Sequence, residues 1–326
     1  YILGDLHPHV MSVPFVILFL MVCWNFLQAP SFALWGFTMR TSVGILVMGF
    51  SLGGLAFVNM WDLPVFSVLL LGIVLIKTYT FWEGNSLYIA KHVLPFWASI
   101  VLISLALFLP YYFTFTSQVS GIGPVAVTTR PFHLLIVWGL FLVSVIPFIF
   151  GVFWKTTLDE GWTKMTLISI FVGFFPFAIW VFLNQEQGGL SGGFVGRLFH
   201  VLPFSILISM AVYSAIWLGK RQAVGCFKEG STGKILALIL SAMGLFLIMV
   251  PELLYVNDGF GGASERMNTV FKLYYQAWVV LAVSSGFSIY YWGSLREYVS
   301  GWKLQLTRLW SITFVVLLVG SAYYSI

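Results

Sequence analysis

Charged residues are what this chain has least of, and their scarcity decides its class. Asp, Glu, Lys and Arg make up only 8% of the 326 residues, whereas a soluble domain carries about 25%. Hydrophobic residues make up 60%, and the mean hydropathy is +0.97. Such a chain cannot hide its apolar surface from water by folding on itself. The composition therefore excludes a soluble globular protein and predicts that the bilayer is its solvent.

Cysteine is almost as scarce. The chain has 2 cysteines, Cys23 inside an apolar run and Cys226 in a basic segment. This excludes a disulfide framework, and neither residue has the surroundings of a catalytic nucleophile.

Long apolar runs are abundant, and each run of about 20 residues is long enough to cross the hydrocarbon core as a helix. We predict an all-α fold, a polytopic helix bundle forming one integral membrane domain over residues 1–326. The third run is short, which predicts a tilted or broken helix. The predicted spans are 10–28, 41–58, 64–77, 93–112, 132–153, 165–184, 198–219, 235–250, 273–293 and 309–325.

The basic residues fall unevenly on the two sides that ten spans define. All but four of the 16 Lys and Arg residues lie on one side, and the four are Arg130, Arg197, Arg266 and Lys272. The richer side is cytoplasmic by the positive-inside rule. The chain is therefore predicted to lie in the cytoplasmic membrane, with its acidic and histidine motifs on the extracytoplasmic face.

Residues 251–276 hold the densest group of charges, and they follow a long apolar run. Ionisable residues beside the bilayer are functional candidates. The residues up to about 264 are expected to form a flexible turn, followed by a helix from Glu265. The charged residues of the segment are Glu252, Asp258, Glu265, Arg266 and Lys272.

The predicted helix carries a polar stripe. Glu265, Asn268, Lys272 and Gln276 recur at spacings of three and four and so share one face. With Arg266 and the positive end of the helix, this face is a candidate phosphate site, and Glu252 and Asp258 are grouped with it. The alternative is an internal ion-pair network that only holds helices together. Arg130 and Arg197 are further anion-binding candidates, whereas His133 and His200 read as interfacial residues.

The segment GDLHPH at 4–9 is the second candidate. Proline pushes the residue before it towards extended geometry, so Asp5, His7 and His9 are expected to alternate onto one face. Three interpretations stay open: capping of a helix that starts near Val10, catalysis or substrate binding, and a divalent metal site. Asp62, in NMWDLP, is either a helix N-cap or a second functional carboxylate.

Three motifs, GDLHPHVMSVPF at 4–15, WDLP at 61–64 and ERMNTVFKLYYQAW at 265–278, together resemble one family. It is the uncharacterised YYY-domain membrane protein family of Chloroflexi and archaea, which has been grouped with the GT-C glycosyltransferases. The resemblance spans nearly the whole chain. It implies further helices before GDLHPH, so the chain is expected to be the C-terminal portion of a longer protein.

The resemblance implies an enzyme that takes a sugar from a polyprenyl-phosphate carrier on the outer side of the membrane. Asp5, His7 and His9 would then position or activate the acceptor or hold a metal, and Asp62 and Glu265 would orient their neighbours. Arg266 and Lys272 would bind the carrier's phosphate. Membrane lipids are the other expected partner, and nucleic acid is not. Two competing hypotheses are a transporter or flippase for a lipid-linked solute and a non-catalytic subunit of a larger complex.

Overall fold

The computed structural model describes residues 7–29, 38–81, 86–117, 119–158, 161–186, 193–223, 230–259, 262–295 and 300–322. Within these ranges the fold class is all-α, as predicted, with one two-stranded ladder. The helices are α1 (Pro8–Gln28), α2 (Met39–Val58), α3 (Asp62–Phe81), α4 (Ser86–Leu107), α5 (Leu109–Thr114), α6 (Pro131–Phe153), α7 (Trp162–Glu186), α8 (Phe194–Ala223), α9 (Ser231–Met249), α10 (Met267–Leu295) and α11 (Trp302–Ala322).

Each predicted span coincides with one long helix, and α5 is an additional short one. Among the described residues, eight helices are long and apolar enough to cross a membrane. The two remaining long helices are α4, which offers the shorter apolar stretch Lys91–Leu107, and α10, which carries the polar stripe.

Two predicted boundaries were wrong. The third helix is not short, because α3 continues past Lys77, whose ammonium donates to the carbonyl oxygens of Leu27 and Ala29 at the end of α1. The fourth helix ends at Leu107 and not at 112. Pro110 lies in the next helix, α5, and proline is favoured at a helix start but breaks a helix interior.

The chain divides into two compact units. The first comprises Leu3–Gln118 with Ala215–Ile239, and the second comprises Val119–Ser214 with Leu240–Ile326. Helices α8 and α9 contribute residues to both. The single domain over 1–326 stays a prediction.

In the first unit, α2 packs closely on α4 through two glycines. A Cβ added at Gly49 would lie 2.6 Å from Ile103 Cγ2, and one added at Gly53 would lie 2.5 Å from the Ser104 carbonyl oxygen. Small residues allow helices in a membrane to approach closely where apolar burial gives no driving force. The two glycines therefore account for this close pairing.

In the second unit, serine pairs join α10 to its neighbours. Ser284 Oγ lies 2.6 Å from Ser241 Oγ on α9, and Ser144 Oγ on α6 donates to Ser285 Oγ at 2.7 Å. Strands β1 (Gly121–Pro124) and β2 (Leu254–Asn257) form an antiparallel ladder with Gly123 opposite Tyr255. The prediction that residues 251–264 form only a flexible turn was wrong, because residues 254–257 form β2, which pairs with the sequence-distant strand β1.

Candidate functional site

Glu252 is a fully buried carboxylate. It ends a 3-10 turn, Val250–Glu252, that follows α9 directly, and its exposed fraction is 0%. An ionised carboxylate is costly to bury unless other groups pair with it and donate hydrogen bonds to it. The identity of its partners therefore determines what this part of the molecule can do.

Thr129 supplies two of those bonds. Its backbone N–H donates to Glu252 Oε2 and its hydroxyl donates to Oε1, both at 2.7 Å. Thr129 lies between β1 and α6, so the two bonds attach that connection to the end of α9. Charge-assisted bonds of this length are among the stronger ones in proteins.

Arg266 is the charge partner of Glu252. Its Nη1 lies 3.2 Å from Glu252 Oε1 and also donates to the Pro251 carbonyl oxygen at 3.0 Å. Its Nη2 donates to Thr129 Oγ1 at 2.9 Å. The alternative of an internal ion pair is therefore realised for Glu252 and Arg266, while 21% of the Arg266 side chain stays exposed.

His200 and Tyr274 complete the surroundings of the carboxylate. His200 Nε2 lies 3.2 Å from Glu252 Oε2, and Tyr274 Oη lies 3.5 Å from Oε1. The Tyr274 ring meets the buried Trp138 edge-on, with centroids 4.9 Å apart. We use the term Glu252 centre for Glu252, Thr129, His200, Arg266 and Tyr274.

Arg197 anchors the backbone around this centre. Its Nη1 donates to the Glu252 carbonyl oxygen at 2.7 Å, and its Nη2 donates to the carbonyl oxygens of Val125 and Ala126 at 2.8 Å. The guanidinium also lies over the Trp180 ring, 5.2 Å from its centroid. Arg197 is buried, and these backbone contacts give it a structural role in place of anion binding.

A second polar group lies at the start of α10. Asn268 Nδ2 donates to Asp258 Oδ2 at 2.7 Å, and Lys272 lies within electrostatic reach of the same carboxylate. Lys272 is half-buried and Gln276 is buried, whereas Met267 on the same helix is exposed. The predicted polar stripe thus lies on a less exposed side of α10 than Met267. The helix begins at Met267, two residues later than expected.

Glu265 precedes α10 and lies beside β2. Burial raises the pKa of the Tyr255 phenol, and the neighbouring Glu265 carboxylate raises it further. A further hydrogen bond joins β2 to α10: the backbone N–H of Val256 donates to Thr269 Oγ1 at 2.9 Å. The ladder and the first turn of α10 therefore hold each other in place.

The histidine motif belongs to the first unit. His7 is the N-cap of α1, with the extended geometry that Pro8 predicts, and it makes no side-chain cap bond. The prediction that His7 and His9 alternate along an extended segment was wrong, because α1 starts at Pro8 and His9 is already helical. The two rings are nevertheless close, with centroids 5.2 Å apart, His7 exposed and His9 buried. Asp5 lies outside the described residues.

Asp62 is also in the first unit and is buried. It is the first residue of α3, and its Oδ1 accepts a bond from Asn59 Nδ2 at 2.9 Å. A carboxylate in the first turn of a helix is favoured by the helix dipole. The convergence of Asp5, His7, His9 and Asp62 with the 251–276 segment stays a prediction.

A metal site has no complete ligand set in the part of the chain that the structure describes. No group of three His, Cys, Asp or Glu side chains is gathered there. His7 and His9 could supply imidazole ligands, and Asp5, the third proposed ligand, lies outside that part. The divalent metal site at these three residues stays a prediction.

Sequence reasoning missed Thr129 and undervalued Arg197 and His200. The two α8 residues are three apart and so share a face, and a cation with an imidazole on one face of an apolar helix was a usable signal. Thr129 gives no such signal, because its importance depends on contacts with residues more than 120 positions away.

Comparison with known proteins places the chain in one family. A family model described as "Uncharacterized membrane protein (DUF2298)" matches residues 1–281. The chain belongs to this family and is an integral membrane protein. No curated protein and no solved structure matches it.

Proposed function

We propose that the chain is a GT-C-like membrane glycosyltransferase, or a large part of one, that uses a polyprenyl-phosphate-linked sugar on the extracytoplasmic face. Its central element is a phosphate site formed by Arg266 and Lys272. The proposal depends on one observation about Arg266. Hydrogen bonds to Pro251, Glu252 and Thr129 hold the Arg266 guanidinium in place but do not use all of its N–H donors.

The guanidinium has five N–H donors in a fixed planar arrangement. In Arg266, Nη1 and Nη2 make three hydrogen bonds, to Pro251, Glu252 and Thr129. Within the described residues no acceptor meets Nε–H or the second Nη2–H. Neighbouring N–H groups of this kind bind two oxygens of one phosphate. A partly exposed, immobilised guanidinium suits this role, because ordering it on binding costs little entropy.

Lys272 would supply the second positive charge. It is half-buried, and Asp258 lies close enough to balance its charge when no anion is bound. Asn268 is one turn before Lys272, near the N-terminal end of α10, where backbone N–H groups also favour an anion. Glu265, which precedes α10, and Gln276 on α10 would orient their neighbours.

The remaining parts of the proposal rest on the resemblance and on the motifs. Asp5, His7 and His9 would help to position the acceptor, and Asp62 would orient its neighbours. Membership of a membrane protein family supports contact with membrane lipids, and the uneven distribution of basic residues supports the extracytoplasmic face.

A second candidate function is a non-catalytic membrane subunit of a larger complex. The complete hydrogen bonding of the Glu252 carboxylate and the three bonds from Arg197 to backbone oxygens favour it, since such networks can serve only to fix one fold. The two candidates differ in one property. Only the transferase requires that Arg266 and Lys272 bind a phosphate carried on a polyprenyl chain.

Substitution of Lys272 gives the cleaner test, because Arg266 also stabilises a buried carboxylate. The purified protein in nanodiscs is assayed for release of polyprenyl phosphate from polyprenyl-phosphate mannose and polyprenyl-phosphate glucose. We expect turnover by the wild type and at least a tenfold loss of kcat/KM in Lys272→Gln, which corresponds to about 1.4 kcal/mol.

Lys303→Gln is the matched control, because Lys303 is an exposed lysine of α11. It should retain wild-type turnover. Equal turnover by Lys272→Gln and wild type would contradict the phosphate role of Lys272. Absence of turnover in the wild type with both donors would favour the non-catalytic subunit.

A further inference from the structure

We propose that His200 is a catalytic base of the same site and that Glu252 is the residue that positions it. The inference rests on the proposed transferase function. Neither the motifs nor the family description assigns a role to His200, which the sequence indicated only as an interfacial residue.

The hydrogen bond to Glu252 defines the form of the imidazole. A carboxylate oxygen accepts, so the 3.2 Å contact at Oε2 places the imidazole proton on Nε2. The neutral ring then has its lone pair on Nδ1, the atom able to take a proton. Within the described part of the chain Glu252 is the sole polar partner of the His200 ring, and 10% of the side chain is exposed. In the proposal, Nδ1 is the atom that meets the substrate hydroxyl.

The ring is held on a rigid support. His200 is one turn after Arg197 on α8, and Arg197 is bonded to the backbone oxygens of Glu252, Val125 and Ala126. Glu252 is in turn fixed by Thr129 through two bonds. Carboxylate and imidazole therefore keep their relative orientation, as an oriented general base requires.

Three charged or titratable groups contact the Glu252 member of this pair. Arg266 precedes α10, Tyr274 lies on α10, and Arg197 lies on α8, and all three contact Glu252. The Glu252 carboxylate stabilises the imidazolium that forms when His200 takes a proton. Arg266 Nη1 contacts the other oxygen of the same carboxylate, Oε1.

The chemical step is balanced without another reactant. The acceptor oxygen forms a bond to the anomeric carbon while its proton moves to His200 Nδ1. The bond from that carbon to the phosphate oxygen breaks, and its electron pair leaves with the polyprenyl phosphate. Arg266 lies on the other side of the same carboxylate, where its remaining N–H groups would receive the phosphate.

The test variant is His200→Gln, whose amide N–H can keep the bond to Glu252 but cannot accept a proton. With polyprenyl-phosphate mannose and glucose as donors, and water and alkyl glycosides as acceptors, we expect kcat to fall at least 100-fold. KM and thermal stability should stay near the wild-type values. The wild-type decline in kcat towards acidic pH, where the imidazole is protonated, should be absent in the variant.

A second measurement does not depend on turnover. Nitrogen NMR of the His200 side chain should show the Nε2–H form in the wild type and a mixture of both forms in Glu252→Gln. His133→Gln is the control, since His133 is an exposed histidine of α6 outside the Glu252 centre, and it should behave as the wild type.

The outcomes separate the two proposals. Wild-type turnover with less than a tenfold loss in His200→Gln and an unchanged acidic decline overturns the base alone. A wild-type His200 protonated on Nδ1 also overturns it. No wild-type turnover with either donor overturns the transferase, and the base with it.

Discussion

Thr129 and Glu252 are joined by two hydrogen bonds of 2.7 Å, one from the threonine backbone and one from its hydroxyl. The same hydroxyl accepts a bond from Arg266 Nη2. One side chain of modest size therefore connects the carboxylate to the guanidinium. This relationship makes Thr129 a sensitive point for both stability and the proposed phosphate site.

Thr129→Val should lower stability, because it keeps the shape of the side chain but removes a donor to Glu252 and an acceptor for Arg266. We expect the free energy of unfolding to fall by about 1–3 kcal/mol. Thermal unfolding in detergent, compared with that of the neighbouring Thr128→Val, measures the effect. Equal unfolding midpoints for the two variants would remove Thr129 from the network.

Arg197→Lys should also be destabilising. Lysine keeps the charge, but an ammonium cannot reproduce the planar donors that meet three backbone oxygens. The expected loss is about 1–3 kcal/mol, whereas Arg130→Lys at an exposed position should stay within about 0.5 kcal/mol of wild type. If both arginines tolerate lysine equally, the anchoring role assigned to Arg197 is wrong.

Asp258→Asn should strengthen anion binding at Lys272. The substitution removes the balancing negative charge while leaving an oxygen that can accept from Asn268. For a half-exposed pair the gain is at most about 1 kcal/mol, or about fivefold in the Kd of polyprenyl phosphate. The gain should shrink at high salt. Weaker binding by Asp258→Asn would show that the carboxylate serves the ligand instead of competing with it.

Ser284→Ala should have a small effect. It removes the 2.6 Å bond to Ser241 between α9 and α10, and such bonds within membranes contribute about 0.6 kcal/mol on average. Steric trapping or reversible unfolding in detergent can resolve a change of this size. A loss above about 2 kcal/mol would mean that the serine pair supports more than its own helix contact.

Much of the fold could be predicted from the sequence, because apolar runs of membrane length have few alternatives to a helix. The ten spans and the polar stripe on α10 follow from such local patterns. Lys77 shows where local reasoning fails. It was expected to end a short span, yet α3 continues to Phe81. The Lys77 ammonium donates to the carbonyl oxygens of Leu27 and Ala29 at the end of α1, a contact that the local sequence does not predict.

The candidate site was predicted less completely. Glu252 and Arg266 stand out as charges in an apolar chain, and their pairing was among the alternatives considered. The ladder between β1 and β2 and the bonds from Thr129 depend on segments more than 120 residues apart. No periodicity within either segment records such a contact. Only the spacing of Arg197 and His200 on one helix face carried a local signal.

The central claim is that Arg266 holds a polyprenyl phosphate through the donors that the Glu252 centre leaves available. The most direct measurement is an electron cryomicroscopy map of the protein in nanodiscs with polyprenyl phosphate added. The account predicts a phosphate within hydrogen-bond distance of Arg266 Nε and Nη2, with Lys272 as its second contact. A bound phosphate that touches neither residue, or no bound phosphate at saturating lipid, would contradict it.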